Sequence, residues 1–289
     1  MFALSEILTT LMTKAVVVSR TAEAGEPDLM AQWPVVGIGL QLLGLVADVF
    51  LVLRWRQRRS VGTKPWGLSA LFTAIGVSAA VFLSVGTIGI LLHLRVATSL
   101  ALLAGAELVL FGVLLFCLRL EKIEWGAAFG LRESSASRAL FMGVVFFIAI
   151  QPPLLALATV RDWIYHALHL KITTQDIVRM FMGADSAQLT VVLIGFAVLV
   201  APVCEEVFFR GLAYPALKQR WGTPIAMAIV SVLFALIHLH VPSLPLLIAL
   251  AAGLTLAYEY TGSLLTPIMM HALFNLLNVV AILLYRANP

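Results

Sequence analysis

Hydrophobic positions in this chain are gathered into long runs, and most polar positions fall in the connections between the runs. A run of ~20 mostly apolar residues is what a helix needs to cross the hydrocarbon core of a bilayer. No run alternates apolar and polar residues as a barrel strand would, and a segment in lipid must satisfy its own backbone hydrogen bonds. The pattern therefore predicts helices at about 34–53, 66–92, 96–118, 139–160, 189–217, 223–240, 242–260 and 264–285.

This pattern predicts an all-α fold, a polytopic transmembrane helical bundle of about eight helices with no soluble domain. The chain divides into an N-terminal interfacial segment (1–33), a set of N-terminal transmembrane helices with interfacial connections (34–188), and a C-terminal transmembrane core (189–289). The polar connection 161–186 mixes charges with aromatic and aliphatic residues, so we expect surface helices there that cover a cavity.

Composition and charge agree with a membrane protein. The chain is 61% hydrophobic and 12% charged, whereas soluble domains carry about 25% charged residues. Its net charge is +4, but the densest basic run, Arg54–Arg59, directly follows an apolar run and is typical of a cytoplasmic anchor. Cys117 and Cys204 lie in apolar runs and form no CxxC motif. We expect a multi-pass protein of the cell (inner) membrane, with lipids and not nucleic acid as its surroundings.

Several ionisable residues lie inside the apolar runs. Each costs roughly 2.5–3.5 kcal/mol to insert, which makes it a candidate functional residue. They are Asp48, Glu107, Glu205, Glu206, Arg210, His238 and His271. Asp48 and Glu107 fit either an ion or proton pathway or polar contacts between packed helices.

The stretch EEVFFR contains two different kinds of glutamate. Glu206 and Arg210 are four residues apart and share a helix face, which predicts a structural ion pair. Glu205 points roughly 100° away on the same helix and has no basic partner nearby in the sequence. We expect Glu205 either to face a watery cavity or to remain protonated.

Two further patterns place polar residues at a comparable depth. FALIH puts His238 four residues after Phe234, and HALFN puts His271 and Asn275 four apart. With turns at Trp221–Gly222 and Thr261–Gly262, Glu205 and His238 would each lie ~24 Å from the first turn. His271 and Asn275 would lie ~14 and ~20 Å from the second turn. A single histidine in a helix is commonly a structural hydrogen-bonding residue, but four polar side chains near one level favour a site.

Such a set has the chemistry of amide hydrolysis within the bilayer. A carboxylate can act as a general base on water beside a histidine, and a histidine with an amide can donate to a developing oxyanion. Glu205, His238 and His271 also form a His₂Glu set of the kind that zinc hydrolases use. The spacing does not choose between these mechanisms, although the sequence has no HExxH motif.

The stretches EEVFFRG, FALIH and HALFN resemble, in order and spacing, the EExxxR, FxxxH and HxxxN motifs of the type II CAAX prenyl endopeptidases. These enzymes belong to the CPBP family of CAAX proteases and bacteriocin-processing enzymes, also called the ABI family. The similarity covers about residues 190–280 and implies an intramembrane endopeptidase whose catalytic core lies in 189–289.

The resemblance also implies roles for single residues. Glu205 is similar to the water-activating glutamate and His238 to its partner, while His271 and Asn275 are similar to the oxyanion-stabilising pair. Glu206 and Arg210 are similar to the structural ion pair. The family has been described both as glutamic proteases and as metalloproteases. We favour the glutamic type without a cofactor, with zinc on Glu205, His238 and His271 as the alternative.

The resemblance implies a protein or peptide substrate, membrane-bound or lipidated, and we do not carry prenyl specificity over. One competing hypothesis is a non-proteolytic family member that acts in bacteriocin self-immunity or as a membrane scaffold. Another is a proton-coupled transporter that uses Asp48, Glu107 and the two adjacent glutamates, although no internal repeat is visible.

Overall fold

The computed structural model describes residues 33–54, 124–131 and 134–287, together with scattered positions between 61 and 119. Residues 1–32, most of the predicted spans 66–92 and 96–118, and the side chains of Glu107 and Cys117 lie outside this part. The described residues contain helices and connections but no strands, as the all-α prediction requires.

The helices follow one another with short connections. In chain order they are α1 (Trp33–Leu53), α2 (Trp125–Ala128), α3 (Ala136–Ala149), α4 (Gln151–Ala167), α5 (Asp176–Met182), α6 (Ala187–Gly195), the π-helix π1 (Phe196–Val200), α7 (Ala201–Glu206), the π-helix π2 (Val207–Ala213), α8 (Tyr214–Leu236), a 3₁₀ turn (Val241–Ser243), α9 (Leu244–Thr261) and α10 (Leu265–Ala287).

Four helical segments of the described chain are long and apolar enough to cross a membrane. They have 32, 50, 21 and 23 residues and span Ala136–Ala167, Ala187–Leu236, Val241–Thr261 and Leu265–Ala287. A shorter apolar helix covers Gly39–Leu53. The membrane-embedded helical class therefore agrees with the structure, whereas the number of about eight helices and the domain division stay predictions.

The 50-residue segment is a hairpin of two arms rather than one rod. Gly222 has φ 77° and ψ 171°, a conformation with positive φ that favours glycine. The rings of Phe209 and Phe234, which lie on opposite sides of Gly222, are 5.3 Å apart between centroids. The chain therefore reverses at Gly222, at the position of the predicted turn. The first arm carries α6, π1, α7 and π2, and both arms are needed to build the site.

Helix α10 is held in place by close packing against α3. A methyl group added at Gly143 of α3 would lie 2.6 Å from Cβ of Met269, so only glycine permits this approach. One turn earlier on α10, the Thr266 hydroxyl donates to the carbonyl of Ala139 at 3.1 Å. These contacts fix the depth of the α10 segment that carries His271.

The connection 161–186 is attached to one end of the bundle. Among the described residues, this connection has one helix beyond the end of α4, the short α5. The sequence predicted several surface helices in the same connection. His240 contacts Thr173 through Nε2, 2.9 Å from the carbonyl oxygen, and Gln175 donates to Ser243 at 2.7 Å. Near the other end of α5, the Arg286 guanidinium donates to carbonyl oxygens of Phe181 and Ala184.

Candidate functional site

The two adjacent glutamates lie on a short α-helical stretch between two π-helical ones. Helix α7 ends at Glu206, with π1 before it and π2 after it. A π-helix bonds i to i+5 instead of i to i+4, and such segments are frequent at functional sites. Pro202, near the start of α7, lacks an N–H and cannot continue the α-helical hydrogen-bond ladder. The apolar pattern predicted one regular helix for this arm, whereas the structure has two π segments in it, of which Pro202 was a visible signal.

Glu206 and Arg210 are in contact in the bundle interior. Nη1 of Arg210 donates to Oε1 of Glu206 at 2.8 Å, and both side chains are completely buried. Nη2 donates to the carbonyl oxygen of Ala251 on α9 at 2.8 Å, and the guanidinium carbon lies 5.0 Å from the centre of the Phe234 ring. A buried ion pair requires such additional partners, because desolvation offsets much of the attraction between its charges.

His271 contacts the same carboxylate from helix α10. Its Nδ1 lies 2.8 Å from Oε1 of Glu206. The carboxylate paired with Arg210 can only accept, so Nδ1 is the donor. This leaves Nε2 on the side of Glu205, 3.9 Å from Oε2. The sequence predicted Arg210 alone as a partner of Glu206, because this second partner, His271, comes from a different helix.

Glu205 differs from its neighbours in exposure. Its side chain is 24% exposed, whereas that of His271 is 4% exposed and those of Glu206 and Arg210 are 0% exposed. Glu206 and Arg210 balance each other in charge. Glu205 is thus the partly exposed carboxylate of this cluster, and its Oε2, the atom 3.9 Å from His271, is buried with no hydrogen-bond partner among the described residues.

His238 lies at the end of helix α8 and is exposed. Its Nδ1 is 2.7 Å from the Phe234 carbonyl oxygen, which only accepts, so Nδ1 donates and Nε2 is left for other partners. The rings of Phe209 and Phe234 meet across the hairpin, and Glu205 and His238 each lie four residues further from the turn along their own arms.

The Phe234 ring joins the two histidines. Its centroid is 4.9 Å from the ring of His238 and 5.8 Å from the ring of His271. The side chain is fully buried and also packs under Arg210. The sequence showed Phe234 four residues before His238, but it did not reveal that one ring would support three site residues.

Asn275 lies one turn after His271 on the same face of α10. Its Nδ2 donates to the carbonyl oxygen of Ala197 in π1 at 2.8 Å. The depth estimate placed Asn275 nearer than His271 to the level of Glu205, yet His271 makes the contacts with both glutamates. Equal depth would require the turns at Gly222 and Gly262 to be level and every residue to advance as in an α-helix, whereas this arm contains two π-helical stretches.

The ligand set considered for zinc is not assembled in the described residues. No three His, Cys, Asp or Glu side chains there are grouped so that they could hold a metal ion. Two ligand atoms of one tetrahedral zinc ion lie roughly 3.3–3.6 Å apart, so Oε2 of Glu205 and Nε2 of His271, at 3.9 Å, are near the spacing of such a pair. The contact of His271 Nδ1 with Glu206 is also of the kind that zinc-bound histidines make. Because no third ligand is grouped with these two in the described residues, no step through a metal is derived.

Asp48 lies half-buried on α1, the helix that packs against α3 and α4. Glu107, its proposed companion in an ion pathway, lies outside the described residues. The structure thus gives no observation that favours a transport pathway over helix-packing contacts.

Comparison with protein families gives a match over the site region. The family model named Rce1-like, whose description is "Type II CAAX prenyl endopeptidase Rce1-like", matches residues 187–277. The matched region begins with α6 and includes Glu205, Glu206, Arg210, His238, His271 and Asn275. Comparison with curated proteins and with solved structures gives no match. The resemblance drawn from the three motifs is confirmed over this region, and with the apolar helices it suggests a CAAX-type protease integral to a membrane.

Proposed function

We propose that residues 187–277 form the catalytic core of an intramembrane endopeptidase in which Glu205 activates the attacking water. One observation carries the proposal. Glu205 is a partly exposed carboxylate 3.9 Å from Nε2 of His271, and it lies beside a completely buried Glu206–Arg210 pair inside an apolar hairpin. The family match over the same residues supports a peptide bond as the target.

In the first step, Glu205 takes a proton from water as the water oxygen bonds to the carbonyl carbon of the substrate. The carbonyl π electrons move to oxygen and form a tetrahedral oxyanion. In the second step, the C–N bond breaks and the proton held by Glu205 passes to the leaving nitrogen. His238, whose Nδ1 donates to the Phe234 carbonyl so that Nε2 is left for other partners, is the proposed partner that orients the water.

The oxyanion is proposed to accept hydrogen bonds from Nε2–H of His271 and from the Asn275 amide. Nδ1–H of His271 is donated to Glu206, so the donating form of His271 carries both protons. In that form, the two glutamates are balanced by Arg210 and His271. Donors held in place before the reaction stabilise the charge as it forms, without reorganisation.

The substrate class is proposed from the family description, which names CAAX prenyl endopeptidases. A membrane-anchored peptide fits a site within an apolar hairpin, because the anchor partitions into the same layer. The test uses proteoliposomes and fluorogenic CAAX-type peptides in two forms, with and without a prenyl group on the cysteine. Cleavage of both forms would show a peptidase without prenyl specificity.

The decisive comparison is between Glu205→Gln and Glu206→Gln, two isosteric changes at adjacent positions. We expect Glu205→Gln to fold normally and to lose cleavage by at least 100-fold, because the amide cannot take the proton from water. Glu206→Gln is expected to lower Tm, because it leaves Arg210 buried without a counter-charge. Wild-type cleavage by a folded Glu205→Gln variant would contradict the proposal.

A separate assay with a chelator tests the metal alternative. We expect cleavage by the wild type to be unchanged when metal ions are removed.

A further inference from the structure

The carbonyl of Ala197 lacks a backbone partner at both of the usual helical positions. In an α-helix it would accept from the N–H of Ala201, and in a π-helix from that of residue 202. The N–H of Ala201 donates instead to the carbonyl of Phe196, and Pro202 has no N–H. The Asn275 amide, coming from α10, supplies the missing donor at 2.8 Å.

This contact determines the orientation of the Asn275 amide. A carbonyl only accepts, so Nδ2 and not Oδ1 is turned toward Ala197. The contact also joins α10 to the helix that carries Glu205, one turn away from the contact of His271 with Glu206. The same link therefore bears on the placement of both α10 side chains of the site.

We infer that Pro202 and the Ala197 carbonyl are positioning groups: the proline frees the carbonyl, and the carbonyl holds the Asn275 amide in the orientation that the site uses. The structural half of this inference concerns the link between Pro202 and Asn275. The catalytic half, in which the amide serves the reaction, rests on the proposed function.

Asn278 provides a matched control, because it lies on the same face of α10 one turn further on. Its Nδ2 donates to the carbonyl of Phe274 in its own helix at 2.7 Å. Asn278 thus has the same side chain and a comparable hydrogen bond, but this bond does not join two helices. The fall in Tm caused by Asn278→Ala should therefore not depend on the residue at position 202.

The structural half is tested by a double-mutant cycle on the full-length chain in detergent, with Tm as the readout. Asn275→Ala should lower Tm by about 2–4 °C, because it leaves the Ala197 carbonyl without a donor. In the Pro202→Ala background the loss should be less than half as large, because residue 202 then has an N–H that can bond to Ala197. Asn278→Ala should lower Tm by the same amount in both backgrounds. Equal losses for Asn275→Ala in the two backgrounds would overturn the link.

A second variant keeps the link testable if Pro202→Ala does not fold. In Asn275→Leu the side chain keeps a similar size but has no donor for Ala197 at any pH, so its Tm should fall below that of the wild type. A Tm equal to that of the wild type would also overturn the link.

The catalytic half is tested by the kinetics of Pro202→Ala on the fluorogenic CAAX-type peptides, at a temperature well below Tm. We expect kcat to fall about tenfold with KM unchanged, because the amide is released while every proposed catalytic side chain is present. An unchanged kcat would overturn the positioning role in catalysis. If the wild type cleaves neither peptide form, the proposed function fails, but the Tm cycle still decides the link between Pro202 and Asn275.

Discussion

At the scale of single residues, Glu205 and Glu206 are neighbours in the sequence with different surroundings. Glu206 binds Arg210 and His271 through one oxygen in a fully buried setting, while the Glu205 side chain is partly exposed. This difference follows from the helix geometry, which turns adjacent side chains to different faces, so that only Glu206 contacts Arg210 and Nδ1 of His271, while Glu205 lies nearer to Nε2 of the same ring. Identical side chains can thereby have separate roles, one in holding the site together and one in its chemistry.

The buried ion pair predicts non-additive stability. Arg210→Met alone leaves the Glu206 charge uncompensated, and we expect a loss of about 3–5 kcal/mol. Glu206→Gln alone should also be destabilising. The double variant should be more stable than the sum of the single losses predicts, because it removes both charges. Thermal unfolding of the four proteins in detergent measures the coupling. Additive losses would show that the two side chains do not depend on each other.

At the scale of elements, the hairpin of two arms depends on the backbone at Gly222. Nothing lies within 4 Å of a Cβ added there, so a substitution would meet no steric obstacle from neighbours. The cost would come from the backbone alone, because φ is +77°. Because Glu205 and His238 lie on different arms of the hairpin, an altered turn would also shift these side chains relative to each other.

This turn predicts opposite outcomes for two glycine substitutions. Gly222→Ala should lower the stability by about 1–2 kcal/mol, because L-residues rarely adopt a positive φ. Gly195→Ala is the control: that position also has open space around an added Cβ but lies in a right-handed helix. It should be neutral or stabilising by up to about 1 kcal/mol. Equal effects on Tm would refute a special role for the backbone at Gly222.

At the scale of the whole molecule, the connection 161–186 is attached to the end of the bundle toward which Glu205 and His238 lie. Arg286, near the end of α10, holds it through the carbonyls of Phe181 and Ala184, and Phe181 is completely buried. The sequence predicted a covering role for this connection from its mixed composition. The structure adds the anchor residues, while the covering of a cavity stays a prediction.

The anchor predicts a local change in dynamics. Arg286→Ala removes two hydrogen bonds from a charged donor, each worth about 1.5–3 kcal/mol, so amide hydrogen exchange across 168–186 should accelerate at least tenfold. Arg220→Ala removes the same charge from an exposed position near Gly222, at the opposite end of the hairpin, and should leave this exchange unchanged. Equal exchange rates in Arg286→Ala and the wild type would show that the connection is held by other contacts.

The sequence by itself determined the features of this protein that depend on local spacing. Long apolar runs predicted helices, Gly222 predicted the reversal, and the spacing of Glu206 and Arg210 predicted a shared helix face. The three motifs also predicted which helices carry the candidate site. Each of these follows from the period of one helix or from the conformation of one residue.

Only the tertiary structure decided how those helices meet. It directed His271 to Glu206 and Glu205, Arg210 to the Ala251 carbonyl, and Asn275 to the Ala197 carbonyl. These contacts depend on the rotation and translation of one helix axis relative to another, and the π segments around α7 change both. Backbone carbonyls are present at every position, so no residue type marks the ones that bind. Packing therefore determined which polar groups pair and which carboxylate stays partly exposed.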